Sequence, residues 1–321
     1  MYTVLAGGVG AARFLRGLTA VVDPADVTVI GNVGDDLDLL GLRICPDLDT
    51  MTYWLSSMVH PEQQWGRADE RFVVAEELAR FGHDDWFTIG DRDLAVHLHR
   101  TARLSEGATL SQVTAEITRA FGVGVRLLPT TDDRVETHIH TRDGRDLAFQ
   151  EYWVRERAVP DVERIELVGG DAAKPAPGVL EAVADAEVVF IAPSNPVVSI
   201  GTILAIDGVR DAVAATPAPV VGVSPIVSGA VIRGMAHRLL PAVGVEVSAA
   251  GVAQYYGDLL DGWVVDTADV DALDDVAAGG PRCRATDTMM DDPDVAAALA
   301  RTCLSLADEC RPPETAQGPR R

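Results

Sequence analysis

This 321-residue chain predicts an α/β protein: a doubly wound, mostly parallel Rossmann-like sheet carrying a helical and β-hairpin insertion. Three observations support that reading. The apolar run 2–6 leads straight into Gly7-Gly8-Val9-Gly10 and then a helical stretch, the strand–turn–helix order of a nucleotide-binding half. A second apolar run at 27–30 is followed by a series of carboxylates: Asp35, Asp36, Asp38, Asp47 and Asp49. Past residue 160, short apolar runs recur at 164–168, 188–192, 220–223 and 263–265, each bounded by Pro, Ser, Gly or charged residues. Parallel strands covered on both faces have this form.

The elements follow in order. Residues 11–22 read as the first helix and 27–30 as the second strand. Helical spacing of apolar residues continues over 48–59, 69–81, 91–103 and 110–121. The period then changes, and 125–128, 135–141 and 147–154 read as strands. Asp143-Gly144 turns the last two into a hairpin. Helices are expected near 179–184, 251–260 and 295–307. These assignments place a nucleotide-binding core at 1–47 and 160–309, an insertion forming part of an acceptor site at 48–159, and a disordered tail at 310–321.

Composition narrows the function. A formal charge of −22 would be repelled by a nucleic-acid backbone, so no nucleic-acid partner is expected. No run of about 18 apolar residues exists, and no basic or signal-type segment precedes the first strand. The four cysteines, Cys45, Cys283, Cys303 and Cys310, lack metal-type spacing and fit reduced thiols in a cytoplasm. The one lysine, Lys174, precedes Pro175, which excludes a Walker-type phosphate loop. A nicotinamide fingerprint also fails. Arg13 stands where its third glycine belongs, and the second strand ends in Gly31-Asn32 without the ribose-binding acid.

What remains is a phosphate cradle beside a divalent-cation site. Backbone amides of Gly7, Gly8, Val9 and Gly10 can approach phosphate, and carboxylates are hard ligands for magnesium. Asp47 and Asp49, two apart before a helix, are the expected metal ligands and catalytic carboxylates; either could instead cap that helix. Asp35 is expected at the substrate. Arg13 and Arg92 could fork onto an acidic substrate or form structural ion pairs. Ser194-Asn195, Ser199 and Gly201 after the 188–192 run, and Ser224 after 220–223, could hold a base or phosphate or serve as ordinary turn residues. His138 and His140 share a strand face and read as an exposed ribbon rather than a metal site. His97 and His99 face different directions on a helix.

Several motifs coincide in order: Gly7-Gly8-Val9-Gly10, Pro46-Asp47-Leu48-Asp49-Thr50, Gly90-Asp91-Arg92-Asp93, Phe149-Gln150-Glu151-Tyr152-Trp153, Pro193-Ser194-Asn195-Pro196 and Val223-Ser224-Pro225-Ile226. From residue 2 to about 307 the chain resembles the 2-phospho-L-lactate transferases and the bacterial phosphoenolpyruvate transferases of coenzyme F-420 biosynthesis. The resemblance implies a magnesium-dependent transfer from a guanosine diphosphate-linked three-carbon acid to the deazaflavin Fo, with GMP released, in a cytoplasmic homodimer. It implies that Asp49, with Asp47, touches magnesium or the attacking hydroxyl. The glycine turn and the Ser194-Asn195 and Ser224 loops would hold the nucleotide, and the helical insertion would supply much of the Fo pocket. Val9 replaces a threonine of some relatives, so a hydroxyl contact is lost there. The alternative is a nucleotide-sugar-binding regulatory protein of a related family that shares the glycine-rich start.

Overall fold

The computed structural model describes residues 1–84, 86–232 and 234–311. Its strands run in chain order as β1 (Tyr2–Ala6), β2 (Val27–Gly31), β3 (Leu37–Leu39), β4 (Leu42–Ile44), β5 (Arg126–Pro129), β6 (Glu136–Thr141) and β7 (Asp146–Ala148). They continue as β8 (Val162–Val168), β9 (Val188–Ile191), β10 (Val220–Val223), β11 (Ile226–Val227), β12 (Ala230–Val231), β13 (Gly262–Asp266) and β14 (Arg282–Thr286). Seven of them form one parallel sheet in the order β14-β13-β10-β9-β1-β2-β5. Counted within that sheet, the order reverses between β1 and β9, which is the topological switch of a doubly wound fold. The central strands carry continuous apolar runs because helices cover both faces; β9, β10 and β13 are buried at every position.

Two helices set the front of the sheet. α1 (Gly8–Thr19) packs on the C-terminal helix Pro293–Cys310, and Gly17 permits the approach because a Cβ there would strike the Ala296 carbonyl. α2 (Pro46–Leu55) begins with Pro46 at a position where no amide hydrogen bond is lost. It packs on α1 through Trp54, whose ring lies 4.8 Å from the Arg16 guanidinium carbon. Three further helices follow: α3 (Val73–Arg80), α4 (Asp91–Ser105) and α5 (Leu110–Ala120). No helix among the described residues is long and apolar enough to cross a membrane.

Several expectations need correction. The strand expected over 147–154 stops at Ala148, and Glu151–Arg155 coils into a π-helical turn. Phe149 and Tyr152, three apart, are both buried, so helical spacing prevails over the β preference of the aromatic residues. β5, assigned to the insertion, is the edge strand of the main sheet beside β2, because its apolar Leu127-Leu128 pairs with Val29-Ile30. β8, assigned to the core, pairs with β6 in a separate three-stranded sheet. β14 was not expected, since an edge strand reading Arg-Cys-Arg-Ala-Thr has no apolar run. The final helix runs to Cys310; residues 312–321, where the tail was placed, lie outside the described residues.

Candidate functional site

The carboxyl ends of β1 and β9 open side by side at the switch point, and the glycine turn fills the gap between them. Gly7 N–H donates to Ser194 Oγ at 3.1 Å, tying the β1 turn to the β9 loop. A Cβ on Gly7 would lie 2.6 Å from Asp47 Oδ2 and 2.7 Å from Ser199 Cβ, and one on Gly10 would strike the Pro193 carbonyl. Gly8 has φ +73°. Each glycine is therefore required, two by close approach and one by conformation. α1 begins at this turn with no side-chain bond from its N-cap residue Gly7 and no acid in its first turn; the Gly8 amide meets Asp47, and the positive dipole end lines the cavity. Such a helix start is an anion cradle.

Two buried carboxylates stand beside it. Asn32, where a dinucleotide-binding strand would present an acid, donates from Nδ2 to Asp47 Oδ2 at 2.9 Å. Asp35 and Asp47 are both 7% exposed. Burial pushes Asp47 up to about 6, against the opposing pull of Asn32 and the Gly8 amide. Burial, then the Asp47 charge, pushes Asp35 well above the usual carboxylate range. Asp35 Oδ1 has no hydrogen-bond partner. Among the described residues no basic side chain pairs with either acid, whereas neighbouring Asp36 is matched by Arg43 at 3.0 Å. Two adjacent carboxylates without counter-charge, next to a phosphate cradle, form the donor set that suits a hard divalent cation.

Asp49 belongs to a different cluster. Its Oδ1 accepts from Nη2 of Arg100, a guanidinium only 1% exposed, while its Oδ2 is buried without a hydrogen bond, 3.7 Å from His97 Nδ1. Arg100 Nη1 also lies 3.2 Å from His97 Nδ1. His97 Nε2 lies 3.5 Å from Asp93 Oδ2, and Asp93 Oδ1 accepts from the Tyr53 hydroxyl. Ligand atoms of Asp49, Asp93 and His97 all lie within 4.8 Å of one another. Arg100 supplies this triad with a positive charge that the pair Asp35–Asp47 lacks.

These residues share one cavity of about 820 Å³. Gly7, Gly8, Val9, Gly10, Arg13, Asp35, Asp47, Asp49, Ser194, Asn195, Ser199 and Ser224 all line it. Gly201 and Arg92 do not: Gly201 opens the next helix, and Arg92 is exposed with its amide bound to Glu70 Oε2 at 2.8 Å. Arg13 acts mainly as a stitch, donating to the Met289 carbonyl and Asp291 Oδ1, each at 3.0 Å, and to the Gln64 side chain. Asn195 Oδ1 caps the following turn at Val197 N, 3.0 Å away, and Ser224 Oγ donates to the Ile226 carbonyl at 2.8 Å. Both therefore have turn roles as well as a place at the cavity. Four further aromatic residues, Trp65, Trp86, Phe87 and Trp153, line the cavity, and the Trp86 and Phe87 rings meet edge to face at 5.6 Å. Sequence reasoning missed Asp93, His97 and Arg100 as a set. Their spacing at i, i+4 and i+7 on α4 places all three on one helix face and could have revealed them.

Comparison with known proteins agrees with this geometry. The family described as 2-phospho-L-lactate transferase CofD matches residues 2–298. A phosphoenolpyruvate transferase of Kitasatospora aureofaciens is 56% identical over 313 residues, covering 96% of this chain and 98% of that protein. One from Nocardia farcinica is 45% identical over 316 residues, covering 95% and 94%. The solved structure of protein BH3568 from Bacillus halodurans superposes with a TM-score of 0.63 at 18% identity, over 94% of this chain and 98% of that one, a likeness of fold alone. The chain belongs to the 2-phospho-L-lactate transferase CofD family and is a transferase of phosphorus-containing groups in coenzyme F-420 biosynthesis.

Proposed function

We propose that this enzyme moves a phosphoenolpyruvyl group from a guanosine diphosphate-linked donor to a hydroxyl of the deazaflavin Fo, releasing GMP. The observation that carries the reading is the glycine turn at the start of α1 lying beside two buried carboxylates that no basic side chain among the described residues pairs with, in a cavity lined by several aromatic residues. Enolpyruvyl is favoured over lactyl because the relatives quoted above bear the name phosphoenolpyruvate transferase.

Asp35 and Asp47 would hold the magnesium ion, whose chemistry is to neutralise charge on the diphosphate. The start of α1 past Gly8, with the Val9 and Gly10 amides, would hold the non-reacting phosphate, and the Ser194 and Ser224 loops would border the nucleoside. Trp65, Trp86, Phe87 and Trp153 offer stacking surfaces to a flat tricyclic acceptor. The acceptor hydroxyl attacks the phosphorus that bears the enolpyruvyl oxygen. The bond from that phosphorus to the GMP oxygen breaks, and Asp49, whose buried Oδ2 makes no hydrogen bond, would draw off the hydroxyl proton. Most of the acceleration comes from in-line positioning and charge neutralisation, so no covalent enzyme intermediate is required.

Calorimetry tests the donor half. GDP or GMP should bind more tightly than ADP or NAD in the presence of magnesium; equal or tighter binding of NAD would overturn the nucleotide assignment.

A further inference from the structure

We infer that Arg238 is a positioning residue for the transfer: from outside the cavity it locks a strained turn at Arg157-Ala158, and so fixes the π-helical turn that brings Gln150 and Trp153 to the cavity wall. The inference rests on the reading above only for its turnover readout.

Arg157 and Ala158 have φ +53° and +52°. In that left-handed region a Cβ crowds the following carbonyl, so two successive residues other than glycine stay there only where their surroundings hold them. Ala158 is buried, and its N–H donates to the Tyr152 carbonyl at 2.8 Å. The carbonyls of Ala158, Val159 and Pro160 are all taken by side chains. Arg238 Nε donates to Ala158 O at 3.1 Å, and its Nη2 donates to Val159 O at 2.7 Å. The Tyr152 hydroxyl, on a fully buried side chain, donates to Pro160 O at 3.2 Å and lies 3.4 Å from Ala158 O. The Asp161 carboxylate is 3.8 Å from Nη2, so the guanidinium grips backbone rather than charge.

Both ends of this clamp reach the cavity. Arg238 stands on the short helix Ala236–Leu239, just after the cavity residues Gly234, Met235 and Ala236. The strained turn follows the π-helical turn Glu151–Arg155, from which Trp153 and Val154 line the cavity. Gln150, one residue ahead of that turn, lines the cavity too, and its Nε2 lies 3.5 Å from the Asp35 carbonyl. A π-helical turn is a rare form, frequent at functional sites. Arg238 does not itself line the cavity, so it acts through the turn it holds. In-line transfer is sensitive to such placement, because a shift of about 1 Å far from the chemistry can cost a hundredfold.

The test uses the full chain as wild type, Arg238→Met, Arg238→Lys and the double variant Arg238→Met with Ala158→Gly. Methionine keeps the apolar stem without a donor, and glycine takes the left-handed conformation without strain. In Arg238→Met, amide exchange over 156–158 should rise on the order of tenfold. With Fo and the guanosine diphosphate-linked donor, kcat should also fall on the order of tenfold. Arg238→Lys, able to bond one carbonyl at a time, should fall between. In the double variant the melting temperature should recover while kcat stays low, because glycine relieves the strain without restoring the lock. Recovery of kcat together with the melting temperature would reveal a merely structural role and overturn the inference. Wild-type kcat or unchanged exchange in Arg238→Met would do the same. If Arg238→Met does not fold, wild-type exchange and kcat in Arg238→Lys overturn it instead. A wild type that leaves Fo unmodified would overturn the transfer reading above, and exchange over 156–158 would still decide the clamp.

Discussion

At Asp47, function and stability pull in opposite directions. Its folded-state value of about 6 stands above the ordinary 3.8, so the folded protein holds that proton to a higher pH than the unfolded chain. The stability linked to this group is complete below about 4 and is lost as pH rises through about 6. Without divalent cation, the protein should therefore melt several degrees lower at pH 7.5 than at pH 5, and magnesium should restore part of the difference. Asp47→Asn should flatten that pH dependence while lowering turnover on the order of a hundredfold, about 2.7 kcal/mol of barrier. A melting series at two pH values with and without magnesium, set beside turnover, checks both halves. A pH-insensitive wild type would remove Asp47 and Asp35 as the cation site. Arg100 behaves differently, because it neutralises Asp49 in the core: Arg100→Ala should cost about 3–5 kcal/mol of stability, measured by denaturant unfolding.

The α3–α4 junction at the cavity edge shows how paired caps position a helix. Glu70 accepts from the Arg92 and Asp93 amides, each at 2.8 Å, and so caps the start of α4. Asp91 in return accepts from Val73 N at 3.3 Å and Val74 N at 3.1 Å, capping α3. Gly90 leaves the room, since a Cβ there would strike the Glu70 carboxyl group. Glu70→Ala should cost about 1–2 kcal/mol and raise amide exchange at the start of α4, where Asp93 is anchored. Unchanged exchange over 70–93 would contradict a capping role. On the β6 ribbon, expected to be exposed, the two histidine side chains are half-buried, 24% and 23% exposed. His138 and His140 sit on its less buried face, paired with Asp146 at 2.8 Å and Glu166 at 3.0 Å. Replacing both by alanine should leave magnesium-dependent turnover within about twofold, whereas a hundredfold loss, about 2.7 kcal/mol, would mean that the cation lies there.

Across the whole molecule, what sequence could show depended on whether a residue's partner lay nearby in the chain. The glycine turn, the buried central strands and α6 (Val179–Ala184) were legible because their patterns are local. The edge strand β14 and the placement of β5 and β8 were not, since sheet order is decided by pairing between segments far apart in sequence. The same division holds in the site. The acids after β2 announced themselves by clustering, but nothing near Asp49 in sequence reveals that Arg100, 51 residues on, neutralises it. Nor does the sequence reveal that Asp35 and Asp47 meet no basic side chain among the described residues, because that depends on where the fold sets the arginines. The most direct test of the central claim is mass spectrometry of Fo incubated with enzyme, magnesium and the guanosine diphosphate-linked enolpyruvyl donor. The account predicts Fo heavier by one phosphoenolpyruvyl group together with stoichiometric GMP, and neither product when magnesium is chelated; unmodified Fo, or a product formed equally well without divalent cation, would contradict it.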